Sequence, residues 1–482
     1  MKRFIQINPA DDVAVMLDDS NPAVPCGHKF ALRDIAAGEN VVKYGMPIGR
    51  AAVPIRRGEH VHIHNLRTNL DGLLEYRYEP SAAAAGVPAA EEQGLTFQGY
   101  RRADGGAGIR NHIFVVPTVG CVNRLARALV QRLNRELGAG GAVKALALEH
   151  PYGCSQLGAD HEMTRAVLAG LVHHPNAGGV LVVGLGCENN TVDSFRSRLG
   201  AFDRSRIKFL VAQEAADEME EGMELLRSLA RTALAEKRTA IPLCELVVGL
   251  KCGGSDGLSG VTANPLVGRF ADWLGKHGGS AVLGEVPEMF GAETLLMARC
   301  RNHAVFAQCV EMINGFKSYF QRYGQVVYEN PSPGNKAGGI TTLEDKSLGC
   351  VQKAGTGAVN GVLRAGEHIR ERGLNLLSGP GNDMVASTLL AASGAHLILF
   401  TTGRGTPFGT VVPTLKIASN RSLAEHKRGW IDFDASRVLR EEAAAVDADF
   451  RRKILAVVNG EEAANERNEY EEIAIFKDGV TL

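Results

Sequence analysis

Residues 179–185 read GVLVVGL, and residues 244–250 read CELVVGL. The first is an unbroken apolar run and the second contains one at 246–250, and such runs are typical of strands buried on both faces of a parallel sheet. IFVVPTV at 113–119 and ALAL at 145–148 have the same character. Between such runs lie segments like RLARALVQRLNRELG (124–138), whose apolar residues recur at the spacing of an amphipathic helix. This alternation predicts an α/β fold with Rossmann-like parallel sheets in the main body.

The chain has room for several domains, because it has 482 residues and single domains typically have about 100–200. Residues 1–75 contain short apolar or alternating stretches separated by turn residues, which predict a small all-β domain. Residues 76–96 are rich in Ala, Glu and Pro and are interpreted as a linker. We expect an α/β middle domain over 97–240 and a second Rossmann-like domain over 241–482.

The composition argues against several classes of protein. The chain has 53 Lys and Arg against 54 Asp and Glu, so it is not built mainly to bind nucleic acid or an anionic membrane. No apolar run approaches the ~18 residues of a membrane helix, and the N-terminus lacks the apolar core of a secretory signal. Nine cysteines without dense spacing indicate reduced thiols in the cytoplasm. No GxGxxG or Walker loop follows a strand, so we expect no nucleotide cofactor.

Glycine and cysteine meet at the ends of predicted strands. Glycine supplies 56 residues, about 12% of the chain, against a usual share of about 7%. Cys121, Cys154 and Cys187 each follow a glycine at intervals of 33 residues, and Cys252 ends a further strand. Thiolates at sheet ends can hold an iron–sulfur cluster or a single iron. They lack the close spacing of a CxxC motif, and small buried thiols in glycine turns are the alternative interpretation.

Acidic and polar side chains follow two other predicted strands. The loop CGGSDGLSG at 252–260 offers Ser255 and Asp256, in a glycine-rich turn that lets the backbone approach a ligand closely. Glu285 and Glu288 follow the strand SAVLG, where paired carboxylates can bind a hard divalent cation or share acid–base work. A capped turn and solvated acids at a helix start are the structural alternatives.

Basic and imidazole side chains supply the remaining candidates. Lys336, in a polar loop with Asn335 and Asp345, can bind a carboxylate or act as a base. Arg404 lies between two glycines and suits a bidentate grip on a carboxylate. His28, in a polar loop, is a candidate base.

The histidines of HVHIH at 60–64 alternate, so a strand would place them on one face. Two or three such imidazoles can bind a metal. An exposed strand face, or a lid over a neighbouring site, is the alternative.

Together these loops resemble the altronate/galactarate dehydratase family. The residues that carry the resemblance include PTVGCVN, YGCSQLGADH, VVGLGCENN, GLKCGGSDGLSG, EVPEMFGAE, ENPSPGNKAGGITTLEDKSLGC and TTGRGTPFG. The stretch GHKFALRDIAAGENVVKYGMPIG resembles the β-clip (SAF) module at the front of these enzymes. The resemblance runs nearly from end to end and implies a β-clip domain, a middle domain that dimerises, and a C-terminal metal-binding catalytic domain. We therefore expect a homodimer.

The resemblance also implies a function, that of a hydro-lyase in hexuronate catabolism. It implies dehydration of D-altronate to 2-dehydro-3-deoxy-D-gluconate with Fe2+, or Mn2+ as a substitute, and galactarate is the alternative substrate. A binding module that senses sugar acids without turnover is the competing class.

The chemistry of dehydration suggests a role for each candidate residue. A base removes the proton beside the carboxylate, an acid protonates the departing hydroxyl, and positive charge stabilises the enediolate. We predict metal binding by Asp256, Glu285 and Glu288, or in the iron–sulfur alternative by Cys121, Cys154, Cys187 and Cys252. We predict that Arg404, Ser255, Asn335 and His62 bind substrate, and that Lys336, Asp345 and His28 are catalytic.

Overall fold

The structure is a computed structural model that describes residues 3–85, 94–138 and 140–482. The predicted linker at 76–96 is therefore described only in part, since residues 86–93 lie outside the described residues. In these ranges we find no helix that combines the length and the apolar character needed to cross a membrane.

The N-terminal region is all β, as predicted. Its short strands pair antiparallel in two small sheets, with the orders β1-β2-β3-β6 and β4-β5-β7. Apolar residues that alternate along these strands, such as Val41 and Ile48, are fully buried and form the core between the sheets. The strands are β1 (Phe4–Ile5), β2 (Val13–Met16), β3 (Lys29–Ala31), β4 (Asn40–Lys43), β5 (Met46–Ala51), β6 (His60–Val61) and β7 (Leu66–Arg67).

The middle region is built on a four-stranded parallel sheet with the order β11-β10-β12-β13. All eight residues of its strand β12 are buried, which explains the continuous apolar run. A small antiparallel sheet, β14-β8-β9, lies beside it. The elements are β8 (Thr96–Arg101), β9 (Ala107–Gly108), β10 (His112–Pro117), α1 (Asn123–Leu137), β11 (Ala145–Ala147), α2 (Gly158–Val172), β12 (Ala177–Gly184), α3 (Val192–Leu199), β13 (Ile207–Val211), α4 (Glu218–Ala235) and β14 (Thr239–Pro242).

The C-terminal region is built on a seven-stranded parallel sheet with the order β17-β18-β16-β15-β19-β20-β21. Its strands are β15 (Val247–Cys252), β16 (Ser280–Leu283), β17 (Val359–Leu363), β18 (Gly373–Leu377), β19 (Leu397–Thr402), β20 (Thr414–Ala418) and β21 (Phe433–Asp434). Its helices are α5 (Ala263–Lys276), α6 (Glu293–Met297), α7 (His303–Arg322), α8 (Pro333–Ala337), α9 (Leu343–Cys350), α10 (Asp383–Ala392), α11 (Arg421–His426), α12 (Ala443–Val458) and α13 (Ala464–Arg467).

The strand order of this large sheet reverses at β15. The chain builds β16, β18 and β17 on one side of β15 and then returns to add β19, β20 and β21 on the other. Open α/β sheets bind ligands beyond the carboxyl ends of the strands at such a switch point. The predicted α/β fold class is confirmed, and the topology directs attention to the loops that follow β15 and β19.

The N-terminal region is fastened to these loops by backbone contacts between glycines. The Gly257 amide donates to the Gly338 carbonyl at 2.7 Å. A Cβ atom on Gly257 would lie 1.8 Å from the Gly27 carbonyl oxygen, and one on Gly339 would lie 2.5 Å from the same oxygen. Glycine is therefore required at this junction because any side chain would separate the three backbones.

We expect Gly257→Ala to lower the free energy of unfolding by about 1–3 kcal/mol, because the added methyl group overpacks the junction. Urea denaturation of the full chain, followed by circular dichroism, measures the change. Gly275→Ala is the matched control, since nothing lies within 4 Å of its added Cβ in helix α5. Equal stabilities for the two variants would contradict the close approach.

Candidate active site

At the end of β15, buried lysines and carboxylates form a dense network. The Lys251 ammonium contacts Glu285 and donates to the Asp383 carboxylate at 2.9 Å. Glu285 also accepts from the Cys252 amide at 3.0 Å and from Lys353 at 3.4 Å. Glu285 is 1% exposed and has a φ of 68°, a left-handed conformation that is uncommon for a residue other than glycine. Its carboxylate is thus held by protein donors on both oxygens.

Glu288 lies against two thiols. Its Oε2 atom is 3.0 Å from the Cys252 Sγ and 3.2 Å from the Cys350 Sγ, and the two sulfur atoms are 3.4 Å apart. Lys346 pairs with the other carboxylate oxygen at 2.7 Å. Burial alone would raise the pKa of Glu288, but Lys346 and Lys251 hold that pKa well below its usual range. This buried group of donors combines residues from both predicted metal sets, Glu288 from one and Cys252 from the other.

Asp256 is engaged by hydroxyl and amide donors. Ser259 and Ser419 donate to its Oδ1 at 2.8 and 2.7 Å, and Asn420 donates to its Oδ2 at 2.9 Å. These bonds tie the loop after β15 to the loop after β20. The position gives Asp256 the features of a loop-bracing residue, and the structure does not bring it together with Glu285 or Glu288 as a group of metal donors within the described residues.

Asn335 and Ser255 lie together beside that loop. Asn335 donates from its side chain to the Ser255 carbonyl at 2.8 Å, and its own oxygen contacts Lys346 at 3.2 Å. The Ser255 hydroxyl is buried and has no hydrogen-bond partner in the part of the chain that the structure describes. A buried hydroxyl without a protein partner is available to a polar ligand.

Asp345 lies between two buried ammonium groups of the N-terminal region. Its carboxylate is 2.8 Å from Lys29 Nζ and 2.8 Å from Lys43 Nζ, and all three side chains are at most 2% exposed. Burial would raise the pKa of Asp345, but the two lysines hold it well below its usual range. Asp345 therefore carries no proton at neutral pH. The geometry favours a positioning role for this carboxylate over the predicted catalytic one.

Three imidazoles of the N-terminal region face the loop that precedes α9. His28 Nδ1 lies 3.1 Å from His60 Nε2, and His62 Nδ1 lies 3.0 Å from the Thr341 hydroxyl. Potential ligand atoms of His28, His60 and His62 all lie within 4.8 Å of one another. Burial lowers the pKa of His60 to about 4 and that of His62 to about 3, and the neighbouring cations add to the effect. The imidazoles are thus neutral, which is the form that binds a metal.

One cation lies in the short helix α8 and a second lies beside it. Lys336 is partly exposed, and no hydrogen bond or ion pair of its ammonium occurs among the described residues. The aliphatic part of Arg404 packs near Gly334 at the start of α8, and its side chain is exposed. The Ala337 carbonyl contacts His28 Nε2 at 3.3 Å. Lys336 therefore precedes Ala337, the residue that contacts the His28 ring. The positive charges of Lys336 and Arg404 suit an anionic ligand.

The thiols of the iron–sulfur alternative are divided between two sheets. Cys252 is buried at the end of β15, whereas Cys121, Cys154 and Cys187 are exposed beyond the strands of the middle sheet. The structure does not assemble these four thiols into one group of close donors within the described residues.

Sequence reasoning missed Cys350, Lys29 and Lys43 as site residues. Cys350 lies four positions after Lys346 on α9, so helical spacing places both on one face and was an available signal. Lys29 directly follows His28 in GHKFAL, but nothing in the sequence announces its partner, which lies 316 positions further along the chain. His60 is recognisable in the HVHIH pattern but has no predicted role of its own, and the structure groups it with His28 and His62. His64, from the same pattern, is exposed and lies outside this group.

The fold and these donors define a class: an α/β protein with buried ionisable groups between an N-terminal β module and the carboxyl edge of a large parallel sheet. The chain belongs to the altronate/galactarate dehydratase family. It matches the family's SAF domain over residues 20–69, its second domain over 99–234 and its C-terminal domain over 243–481.

Three relatives show the extent of the similarity. Altronate dehydratase of Escherichia coli (strain K12) is 52% identical, and altronate dehydratase of Bacillus subtilis (strain 168) is 50% identical, each with all of both chains covered. Galactarate dehydratase (L-threo-forming) of E. coli (strain K12) is 31% identical over 95% of this chain and 93% of its own.

We expect Asp345→Asn to lower the free energy of unfolding by about 3–5 kcal/mol, because it leaves two buried ammonium groups without their carboxylate. Denaturant unfolding of the full chain measures the loss. Glu245→Gln removes the partner of Arg101 in a partly exposed ion pair and should cost at most about 1 kcal/mol. Similar losses in the two variants would refute the central role of Asp345.

Proposed function

We propose that this protein is a hydro-lyase that converts D-altronate to 2-dehydro-3-deoxy-D-gluconate and water. The full-length similarity to two proteins named altronate dehydratase carries the proposal. Galactarate is the second candidate substrate, and the lower identity to galactarate dehydratase makes it the weaker one. We also propose that the protein acts in the cytoplasm, in hexuronate catabolism, as a homodimer joined through residues 97–240.

The dehydration reaction has four chemical requirements. The substrate carboxylate must be held, the proton on the adjacent carbon must be removed, the β-hydroxyl must leave with a proton as water, and negative charge must be stabilised meanwhile. The resulting enol then tautomerises to the 2-keto acid, and no electrons are exchanged with a redox cofactor. The free cations around α8 and the polar loop after β15 provide groups for the first, second and fourth tasks.

For substrate binding we propose Arg404, Ser255 and Asn335, while His62, which the sequence predicts to bind substrate, is placed in the metal group described below. Arg404 is exposed and unconstrained enough to make the bidentate contact that a carboxylate favours. The unpaired hydroxyl of Ser255 can donate to a substrate hydroxyl, and Asn335 fixes its backbone. Lys336 is the proposed base, and it must reach the site in its neutral form to accept the proton.

For the metal we propose Fe2+ or Mn2+ at His28, His60 and His62. Three neutral imidazoles suit iron, whereas the thiols of Cys252 and Cys350 beside Glu288 suit softer ions than Mn2+. In this arrangement His28 is a ligand, so Lys336 is left as the base. Once bound, the cation would supply Lewis-acid stabilisation of developing negative charge. Two of the imidazoles are held in place by hydrogen bonds: the Thr341 hydroxyl contacts His62, and the Ala337 carbonyl contacts His28.

Asp345 acts on the site from a distance in this proposal. It accepts from the Thr341 amide at 3.1 Å while it binds Lys29 and Lys43. The carboxylate therefore fixes the loop that contacts His62 against the module that carries His62. This is a positioning role.

Turnover distinguishes the two candidate substrates. Anaerobic protein supplied with Fe2+ should form a 2-keto-3-deoxy acid from D-altronate at least tenfold faster than from galactarate, as the identities of the relatives suggest. A colorimetric assay for 2-keto-3-deoxy acids measures both rates. Faster dehydration of galactarate would replace the proposed substrate, and binding of either acid without turnover would support the regulatory alternative.

Manganese titration tests the histidine group. We expect His60→Ala to weaken Mn2+ binding at least tenfold, as measured by the electron paramagnetic resonance signal of free Mn2+. His64→Ala is the control, because His64 is exposed and outside the group of close donors. Unchanged Mn2+ binding in His60→Ala would show that the metal does not bind at the histidine group.

A further inference from the structure

Three cysteines lie on neighbouring strand ends of the middle sheet, whereas the candidate site is built from the N-terminal module and the large sheet. β10 pairs in parallel with both β11 and β12, so the three carboxyl ends are adjacent. Cys121 follows β10, Cys154 follows β11 and Cys187 follows β12. All three are exposed, while Cys252, Cys300, Cys309 and Cys350 are buried. The sheet topology therefore presents three accessible thiols along one edge.

The three loops that carry these thiols are locked together. The Gly120 amide donates to the Tyr152 carbonyl at 2.8 Å, which joins the Cys121 loop to the Cys154 loop. The Asn190 amide donates to the Gly153 carbonyl at 2.9 Å, which joins the Cys154 loop to the Cys187 loop. A Cβ atom on Gly153 would lie 1.9 Å from the Thr118 carbonyl oxygen, so only glycine permits this approach. The thiols are thus held on one braced surface.

A layer of buried polar groups supports this surface. Glu188, 3% exposed, accepts from the Thr118 hydroxyl at 2.6 Å and from the Gly186 amide at 2.6 Å, and so fixes the Cys187 turn. Asn190 Oδ1 and Gln156 Nε2 are buried and lack hydrogen-bond partners in the described ranges. Ser155 has a φ of 58°, a left-handed conformation for a residue other than glycine. Backbone strain and unsatisfied polar groups of this kind concentrate at functional sites.

The spacing of the thiols selects the chemistry. The three sulfur atoms do not appear among the donor groups within 4.8 Å of one another in the described part of the chain. At least one pair of these sulfur atoms is therefore more than 4.8 Å apart, which disfavours one ion held by all three, whereas the thiolates of an iron–sulfur cluster bind separate iron atoms. Their remaining contacts are weak, such as the 3.6 Å contact of Cys187 with Gln213 and the 4.0 Å contact of Cys154 with Ser155.

We propose that Cys121, Cys154 and Cys187 ligate an iron–sulfur cluster on the carboxyl edge of the middle sheet. Each thiol gives up its proton as it binds iron, and ferrous iron, ferric iron and inorganic sulfide come from outside the chain, so no electron has to be removed during assembly. Three thiolates leave one iron of a four-iron cluster free to take an oxygen ligand. This site is separate from the histidine group and does not rest on the proposed function.

The experiment uses the full chain, prepared anaerobically and reconstituted with equal amounts of Fe2+ and Fe3+ and with inorganic sulfide. We expect bound iron and acid-labile sulfide in similar amounts, together with a visible charge-transfer band. Cys121→Ser, Cys154→Ser and Cys187→Ser should each lose at least about 80% of that band, while Cys244→Ser, at a half-buried position outside the three loops, should keep it. Iron without sulfide, or a full band in any of the three variants, would overturn the proposal.

A footprint on the unaltered protein covers the case in which a variant misfolds. Alkylation followed by mass spectrometry should modify Cys121, Cys154 and Cys187 before reconstitution and spare them at least fivefold afterwards. Equal modification before and after would also overturn the cluster. Dehydration of D-altronate is measured on the same samples, so a missing cluster with intact turnover rejects this proposal alone, and an intact cluster without turnover rejects only the proposed function.

Discussion

The ion triplet of Asp345 with Lys29 and Lys43 joins the parts of the candidate site. One carboxylate from α9 receives two ammonium groups from the N-terminal module, all of them out of contact with water. Burying any one of these three charges without its partners would cost free energy, because the buried environment does not solvate an unpaired ion. The triplet therefore specifies one docked arrangement of the module. The glycine contacts beside it then bring the backbones close enough for the histidines to reach the α8 loop.

The same principle governs the end of β15, where charge is balanced group against group. Lys251, Lys346 and Lys353 face Glu285, Glu288 and Asp383. Because these carboxylates are already neutralised by protein cations, they are poor places to attract a further cation. This charge balance is the electrostatic reason for proposing a metal at the uncharged imidazoles instead of at the carboxylates that the sequence singles out.

Much of the architecture could be predicted from local pattern alone. The continuous apolar runs predict parallel strands correctly because burial on both faces leaves no polar positions along β12. The motif HVHIH contains two of the three imidazoles that meet, but strand β6 ends at Val61, so His62 reaches the group from the following turn and His64 does not join it. These features depend on periodicity, which is a property of neighbouring residues.

The candidate site was harder to predict because its contacts are distant in sequence. Asp256 has the side chain of a metal ligand. In the folded chain, however, Ser419 and Asn420, which follow β20, donate hydrogen bonds to both of its carboxylate oxygens. Cys252 and Glu288 belong to two separate predicted metal sets. In the structure Glu288 contacts both Cys252 and Cys350, which lies at the end of α9. Residue type showed which groups can do chemistry, but the partners that permit or prevent it are set by tertiary packing.

The N-terminal module contributes His28, Lys29, Lys43, His60 and His62 to a site whose other half begins more than 150 residues later. The site is therefore an interface between two folded bodies that share one chain. The stretch that follows the module is itself packed against the second body, since the Tyr76 hydroxyl donates to Glu293 at 2.6 Å and the Tyr78 hydroxyl donates to the Cys300 carbonyl at 2.8 Å. A substitution that alters the surface of one body therefore alters the half of the site that the other body supplies.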